Sequence, residues 1–189
     1  MSFTIVPERP DDATLIAPLL DRTFGFDRTR KTVYRLRENL DPLPGLCFSA
    51  VAGDGGFFGS IRYWPIDIAG TPAILLGPLA VEPALQGRGI GKALVRHSLQ
   101  AAEDAGHRIC VVVGDPNYYR PFGFLPASGH GLLLPGPVEP ERFQVKELAP
   151  GALKGVHGVI GRGKPEVQEV ERPAAEKPAR RRGVRRATG

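Results

Sequence analysis

The chain has 189 residues, of which 42% are hydrophobic and 24% are charged, and its formal net charge is +5. This length suits one domain with a sizeable core, and no run of about 18 apolar residues predicts a membrane-spanning helix. The N-terminal residues do not resemble a signal peptide, and two cysteines are too few for a disulfide framework, so we expect a cytoplasmic protein.

The first half of the chain predicts a strand and two helices, followed by an antiparallel meander. Apolar spacing and glycine-rich turns place these elements. They are a strand over 3–6, a helix capped by Asp11 and carrying Phe24, a helix over 29–40, and strands over 46–52, 57–68 and 73–81.

Gly77 and Pro78 interrupt the third strand of the meander. Proline removes a donor from the ladder and glycine often marks a bulge, so we expect a distortion at this point. It would leave main-chain groups near Leu79 and Val81 free to bind a ligand. An ordinary irregularity at a sheet edge is the alternative.

A glycine-dense turn follows, with Gln86, Gly87, Arg88, Gly89, Ile90 and Gly91 preceding a helix over 92–105. Alternating glycines at a helix N-terminus favour binding of an anion such as pyrophosphate. The spacing fits neither the nucleotide-triphosphate loop nor the dinucleotide fingerprint. The alternative is a loop that only lets the helix pack close to the strand.

The remaining chain predicts one buried strand and then weaker elements. The apolar run 109–113 follows the helix, so a right-handed crossover to a parallel neighbour is expected. Weaker strand patterns lie at 131–134 and 143–148, and 149–161 has no clear pattern.

The positive charge is concentrated at the C-terminus. Residues 1–161 carry 16 basic and 16 acidic side chains, whereas 162–189 carry nine basic and four acidic ones. The last segment is rich in Pro, Ala, Glu and Arg and has no apolar periodicity. We therefore expect a domain over 1–161 and a disordered basic tail over 162–189. No aromatic residues are interleaved with the arginines, which favours a solvated tail over nucleic-acid binding. A nucleic-acid-associated protein is the alternative, and it rests on Arg180 to Arg186 only.

Two motifs together resemble the GCN5-related N-acetyltransferases (GNAT), a superfamily that binds acetyl-CoA, and the residues around them look most like those of its predicted bacterial members. The first motif is Q/R-x-x-G-x-G/A, and the second is an aromatic-Tyr-x-x-x-Gly-Phe segment. They are met by Gln86, Gly89 and Gly91 and by Tyr118, Tyr119, Gly123 and Phe124. The resemblance covers residues 3–148. It implies a mixed α/β fold, with a mostly antiparallel sheet, a splayed parallel pair of the fourth and fifth strands, and flanking helices.

The resemblance also implies where acetyl-CoA would bind. It further implies that binding and reaction require no metal. The pantetheine arm would contact main-chain groups of the fourth strand, and the pyrophosphate would contact amides of the glycine turn. The implied cofactor-binding residues are Leu79, Ala80, Val81, Gln86, Gly87, Arg88, Gly89, Ile90, Gly91, Lys92 and Asn117.

Tyr119 occupies the family's general-acid position, although a core aromatic is the alternative. Some family members carry a glutamate within the fourth strand, but 73–81 contains no carboxylate. Glu82 is the nearest candidate base, with an exposed turn residue as the alternative. A water, or an amine that arrives neutral, would remove the need for a base.

The function that these residues imply is transfer of an acetyl group from acetyl-CoA to a primary amine of a small molecule or peptide. A non-catalytic acyl-CoA-binding or sensing module is the alternative, and a homodimer is compatible with either. The acceptor would contact the first two helices and the third and last strands. Candidate acceptor residues are Phe24, Phe26, Tyr34, Arg62 and Trp64.

Overall fold

The computed structural model describes residues 2–164. Nine strands lie in this part of the chain. They are β1 (Thr4–Pro7), β2 (Phe48–Val51), β3 (Phe57–Ile68), β4 (Thr71–Val81), β5 (Ile109–Val113), β6 (Leu125–Pro126), β7 (Leu132–Leu133), β8 (Phe143–Glu147) and β9 (Gly158–Arg162).

Two full helices and two single-turn helices accompany the strands. They are α1 (Ala13–Phe24), α2 (Thr32–Arg35), α3 (Ile90–Asp104) and α4 (Pro116–Tyr119). Short 3-10 turns connect several elements, among them Phe26–Arg30 before α2 and Pro83–Leu85 before the glycine turn. Within residues 2–164, none of these helices has the length and apolarity needed to cross a membrane.

The main sheet has the strand order β1-β2-β3-β4-β5-β8-β6, and β4 and β5 are its parallel pair. Strands β2, β3 and β4 form the predicted antiparallel meander. One face is covered by α3, whose Ile90 and Leu94 pack in a cluster with Leu76 and Val112. The opposite face is covered by α1 and by the segment around α2. The mixed α/β fold that the resemblance implied is confirmed.

Strand β4 is distorted at the predicted position. Ile61 pairs with Leu79 and Tyr63 pairs with Leu76, so Gly77 and Pro78 lie opposite a single residue of β3. Two residues against one is the arrangement of a β-bulge. The confirmed bulge lies where β4 stops pairing with β5.

The parallel pair separates at this bulge. Pairing of β4 with β5 runs from Ile74 and Cys110 to Leu76 and Val112 and goes no further, although β4 itself continues to Val81. The carboxyl ends of the two strands therefore diverge, and a gap opens between them.

The predicted helix over 29–40 is wrong. The segment instead forms a 3-10 turn and the single-turn α2, and its later amides bond three residues back. The Arg37 N–H donates to the Tyr34 carbonyl at 3.0 Å, and the Leu40 N–H donates to the Arg37 carbonyl at 3.2 Å. Asn39 then adopts a positive φ of 59°, which ends any helical continuation.

Strand β9 lies in the region that had no clear pattern. It pairs with β3, with Ile66 opposite Arg162, and therefore ends one residue beyond the expected domain boundary. Residues 165–189, which hold most of the predicted basic tail, lie outside the described residues. The tail and the boundary at 161 stay predictions.

Candidate active site

A cleft of about 1060 Å³ occupies the gap between the diverging ends of β4 and β5. Its floor and one wall come from β4, the glycine turn and the start of α3. The other walls come from β5, α4, the segment around α2 and the loop before β8. Residues that line it include Phe24, Arg28, Tyr34, Arg37, Leu76, Gly77, Leu79, Val81, Gly87, Gly89, Gly91, Lys92, Gly114, Tyr118, Tyr119, Val138 and Arg142.

Main-chain groups at the end of β4 are directed into this cleft. The Glu82 N–H donates to the Phe58 carbonyl at 2.8 Å, which fixes the phase of hydrogen bonding between β3 and β4. Hydrogen-bonded and non-bonded pairs alternate in an antiparallel ladder. Leu79 and Val81 are therefore non-bonded positions, and their N–H and C=O groups point away from β3 toward the gap.

A side-chain contact agrees with this orientation. The Gln86 amide nitrogen donates to the Val81 carbonyl from the cleft side, at 3.3 Å. That bond ties the glycine turn to the end of β4, so the two main-chain surfaces are held next to each other.

The glycine turn presents free amides to the same cleft. Gly87 and Gly89 have φ values of +77° and +85°, which residues with a Cβ rarely adopt. Gly89 is the N-cap of α3, and no side chain caps that helix. The amides of the first helical turn have no intrahelical acceptor, and the first turn contains no carboxylate. An anion can therefore bind at the positive end of α3.

Tyr118 covers the start of α3. A Cβ built on Gly91 would lie only 2.6 Å from the Tyr118 hydroxyl oxygen. The absence of a side chain at Gly91 thus lets the Tyr118 hydroxyl approach the glycine turn. Tyr118 also lines the cleft.

Tyr119 is almost entirely buried, with 8% of its surface exposed, and it lines the cleft between the glycine turn and the α2 segment. Its ring makes edge contacts with Tyr118 and Phe124 at centroid distances of 5.0 and 5.6 Å. Burial is the main cause that raises the pKa of Tyr119 well above its ordinary value. The hydroxyl therefore stays protonated at neutral pH and can donate a proton into the cleft.

Most of the predicted cofactor residues line the cleft. Those that do are Leu79, Val81, Gln86, Gly87, Gly89, Ile90, Gly91 and Lys92. The Ala80 side chain does not, because strand alternation places it against Ile16 of α1 on the opposite face. Arg88 is exposed on the turn. The exposed Asn117 donates its N–H to the Asp115 carboxylate at 2.9 Å, at the start of α4.

Glu82 lies outside the cleft-lining set. Its carboxylate accepts a hydrogen bond from the Arg22 guanidinium of α1. The carboxylates that do line the cleft are those of Asp115 and Glu139. The role of Glu82 as a base stays a prediction that no contact in the described residues supports.

Two of the candidate acceptor residues, Phe24 and Tyr34, line the cleft, whereas Phe26, Arg62 and Trp64 do not.

Three arginines that were not predicted from the sequence also line the cleft. They are Arg28, Arg37 and Arg142. No local motif marks these arginines, because α2 and the loop before β8 bring them together from distant parts of the chain.

Comparison with known proteins assigns this arrangement to a family. The model of the Acetyltransferase (GNAT) family matches residues 14–124. The chain belongs to this acetyltransferase family. It is 36% identical over 155 residues to YhbS of Escherichia coli K12, described as an uncharacterized N-acetyltransferase, and the match covers 81% of this chain and 92% of YhbS.

Two crystal structures of GNAT proteins resemble this fold. The complex of E. coli YhbS with CoA superposes with a TM-score of 0.75 and 33% identity, over 85% of this chain and 89% of YhbS. A GNAT acetyltransferase of Brucella melitensis, in complex with acetyl-CoA, gives a TM-score of 0.57 and 32% identity, over 79% of this chain and 90% of its own. Residues 2–164 contain no cluster of three His, Cys, Asp or Glu side chains that could hold a metal ion.

The position of the Tyr119 ring depends on Gly114. A Cβ built on Gly114 would lie 2.2 Å from Cε2 and 2.9 Å from Cδ2 of that ring. In this GNAT fold we expect Gly114→Ala to displace the buried ring and to lower the stability by about 1–3 kcal/mol. Its kcat should fall about tenfold or more, with little change in affinity for acetyl-CoA, as measured by steady-state kinetics and calorimetry.

Gly45→Ala is the matched control, because nothing lies within 4 Å of a Cβ at that exposed position. It should leave both kcat and stability close to the wild-type values. A Gly114→Ala protein with normal kcat would mean that the position of the Tyr119 ring does not matter for activity.

Proposed function

We propose that the chain transfers an acetyl group from acetyl-CoA to a primary amine by direct attack of the amine on the thioester. The observation that carries this proposal is the continuous cleft at the separation of β4 and β5. At one end it has the free amides of Gly89 to Lys92, and further along it has the buried hydroxyl of Tyr119. The CoA and acetyl-CoA complexes of the two similar GNAT proteins support the choice of ligand.

The cofactor would extend along the end of β4. Its pyrophosphate would accept hydrogen bonds from the first-turn amides of α3, with Lys92 nearby as a further positive charge. The amides of pantetheine would pair with the outward-facing main-chain groups of Leu79 and Val81, as an added strand would. This arrangement points the thioester toward the bulge at Gly77 and Pro78 and toward Tyr119.

The protein would then contribute two groups to the reaction. The amine nitrogen attacks the thioester carbonyl carbon, and the resulting oxyanion accepts a hydrogen bond from an outward-facing main-chain N–H of β4. The C–S bond breaks, and Tyr119 donates its proton to the departing CoA thiolate. The surplus proton of the amine leaves to water, or the amine enters already neutral.

Two measurements test the proposal together. Acetyl-CoA should raise the melting temperature, as a ligand of the folded state must. A colorimetric assay for released thiol should detect CoA when amines are added, using polyamines, amino acids, aminoglycosides and lysine-containing peptides.

The two measurements also separate the outcomes. No melting shift at saturating acetyl-CoA would refute the proposal. A clear shift without thiol release from any amine would favour a non-catalytic acyl-CoA-binding module instead.

A further inference from the structure

Arg37 lies in the wall of the cleft, next to the β4 bulge. A Cβ built on Gly77 would be 3.4 Å from the Nη2 atom of Arg37, so the guanidinium reaches the interruption of the strand. The Cζ atom of Arg37 lies 4.7 Å from the ring centroid of Tyr34 and 5.9 Å from that of Trp64. Two aromatic rings thus hold the cation in place.

No carboxylate balances this charge within residues 2–164. Neighbouring arginines are paired: Arg28 contacts Asp21 at 2.8 Å and Arg62 contacts Glu8 at 2.6 Å. Arg37 forms no such ion pair with a described residue, and its buried Nε has no hydrogen-bond partner among them. Burial lowers the pKa of Arg37 to about 10, so the group remains cationic at neutral pH.

Arg37 is partly buried, with its Nε atom shielded from solvent. A cation in this position has lost part of its hydration without gaining a counter-ion, which is unfavourable. Most structural arginines avoid that cost by pairing with a carboxylate, as Arg28 and Arg62 do. The cost is recovered at Arg37 if an anionic ligand enters the cleft and supplies the missing partner. A site with an unpaired donor also discriminates strongly against ligands that lack the acceptor.

The remaining charges on this side of the cleft point to the same type of ligand. Besides Arg37 and Lys92, four cationic side chains line it. Arg28 and Arg30 form ion pairs with Asp21 and Asp27, whereas Lys31 and Arg142 form none with a described residue. The cleft-lining carboxylates are Asp115, which caps α4, and the exposed Glu139. A polyamine acceptor would meet net repulsion here, whereas an amine that carries its own negative charge would not.

Arg37 is also near the reacting groups. It is close enough to Tyr119 for its charge to oppose, in part, the effect of burial that raises the pKa of Tyr119. An anionic group held by Arg37 would therefore lie a short distance from the thioester, and only a small spacer could separate it from the attacking nitrogen.

We propose that Arg37 binds a carboxylate of the acceptor, and that the acceptor is an amino acid or a close analogue with its carboxylate near the amino group. The planar fork of N–H donors in a guanidinium matches a carboxylate in two parallel hydrogen bonds. This inference rests on the proposed acetyl transfer and adds the class of acceptor.

Pairs of amines that differ only in the carboxylate test the inference. Suitable pairs are lysine and cadaverine, phenylalanine and phenethylamine, and serine and ethanolamine, with the amino-acid amides and phosphoethanolamine as further arms. For at least one pair, the amino acid should have a kcat/KM about tenfold or more above that of its decarboxylated partner. The amides should behave as the decarboxylated amines do.

Variants identify the residue responsible. Arg37→Gln should raise the KM for the amino acid about tenfold or more, lower the kcat/KM preference for the amino acid over its decarboxylated partner by a similar factor, and preserve the melting shift with acetyl-CoA. Arg37→Lys keeps a charge and should recover part of the affinity. Arg35→Gln is the matched control, because Arg35 is an exposed arginine of α2 that does not line the cleft.

A binding measurement keeps the inference testable if turnover is slow or a variant is unstable. The amino acid should further raise the melting temperature of the CoA-loaded wild-type protein. The additional rise should be smaller for CoA-loaded Arg37→Lys and for CoA-loaded Arg37→Gln.

The inference would be overturned if the decarboxylated amines or phosphoethanolamine were acetylated with kcat/KM values equal to those of the amino acids. It would also be overturned if Arg37→Gln weakened acetyl-CoA binding instead, because Arg37 would then belong to the cofactor site. Both results leave acetyl transfer standing. Absence of an acetyl-CoA melting shift would refute the proposed function itself.

Discussion

Replacement of Tyr119 by Phe should lower kcat about 100-fold or more and leave the dissociation constant of acetyl-CoA within about twofold of the wild-type value. The change removes one hydroxyl oxygen and keeps the ring that packs against Tyr118 and Phe124. The hydroxyl is the proton donor in our proposal, so the substitution should slow only the step that breaks the C–S bond. Steady-state assays of thiol release measure kcat, and calorimetric titration measures the dissociation constant of acetyl-CoA.

The raised pKa of Tyr119 adds a pH test. A group whose pKa is raised by burial stays protonated through neutral and mildly alkaline pH, so the wild-type rate should not fall on the alkaline side up to about pH 9. The rate should instead rise with pH as the acceptor amine loses its proton. An alkaline decrease with a midpoint near pH 8 would contradict the assignment of Tyr119 as the acid.

Tyr63→Phe is the matched control for Tyr119→Phe. Tyr63 is fully buried, but its hydroxyl bonds the Ser98 hydroxyl at 2.9 Å and its side chain does not line the cleft. Loss of that hydroxyl should cost about 1 kcal/mol of stability and leave kcat unchanged. If both variants kept full kcat, Tyr119 would have no part in the chemistry.

Gly89→Ala should weaken acetyl-CoA binding about tenfold or more. Gly89 has a φ of +85°, and a Cβ at this position would have no atom within 4 Å, so the substitution introduces backbone strain of about 1 kcal/mol and a methyl group facing open space. Relief of the strain would reorient the amides that begin α3. The affinity for acetyl-CoA, measured by calorimetry, should therefore fall more than the strain alone explains.

Gly106→Ala provides the comparison at the other end of the same helix. Gly106 has a φ of +82° and likewise has nothing within 4 Å of a Cβ. The two variants should lose similar stability, as judged by their melting temperatures, yet only Gly89→Ala should lose affinity for the cofactor. Equal affinities in both variants would show that the glycine turn does not hold the pyrophosphate.

The part of the cleft where we propose that the cofactor binds could be located from sequence because its signals are local. The glycine turn, the Gly77-Pro78 interruption and the motif around Tyr119 each lie within a few residues of one another along the chain. Strand β3 and strand β5 have the predicted bounds for the same reason, since alternation and continuous apolar runs are short-range patterns.

The opposite wall, where we propose that the acceptor binds, could not be predicted in the same way. The apolar spacing of Val33, Leu36 and Leu40 suggested a helix over 29–40, but the chain folds there into turns that place Tyr34 and Arg37 in the cleft. The importance of Arg37 depends on what is missing around it, namely a carboxylate partner, and a sequence does not reveal that. Arg142 and Val138 enter from a loop more than 100 residues further along the chain.

A crystal structure of the protein with bound acetyl-CoA, or with CoA, tests the central claim most directly. We predict that the pyrophosphate accepts hydrogen bonds from amides between Gly87 and Lys92, and that the sulfur lies within about 3.5 Å of the Tyr119 hydroxyl. A pyrophosphate bound elsewhere, or a sulfur atom far from Tyr119, would contradict our account of this cleft.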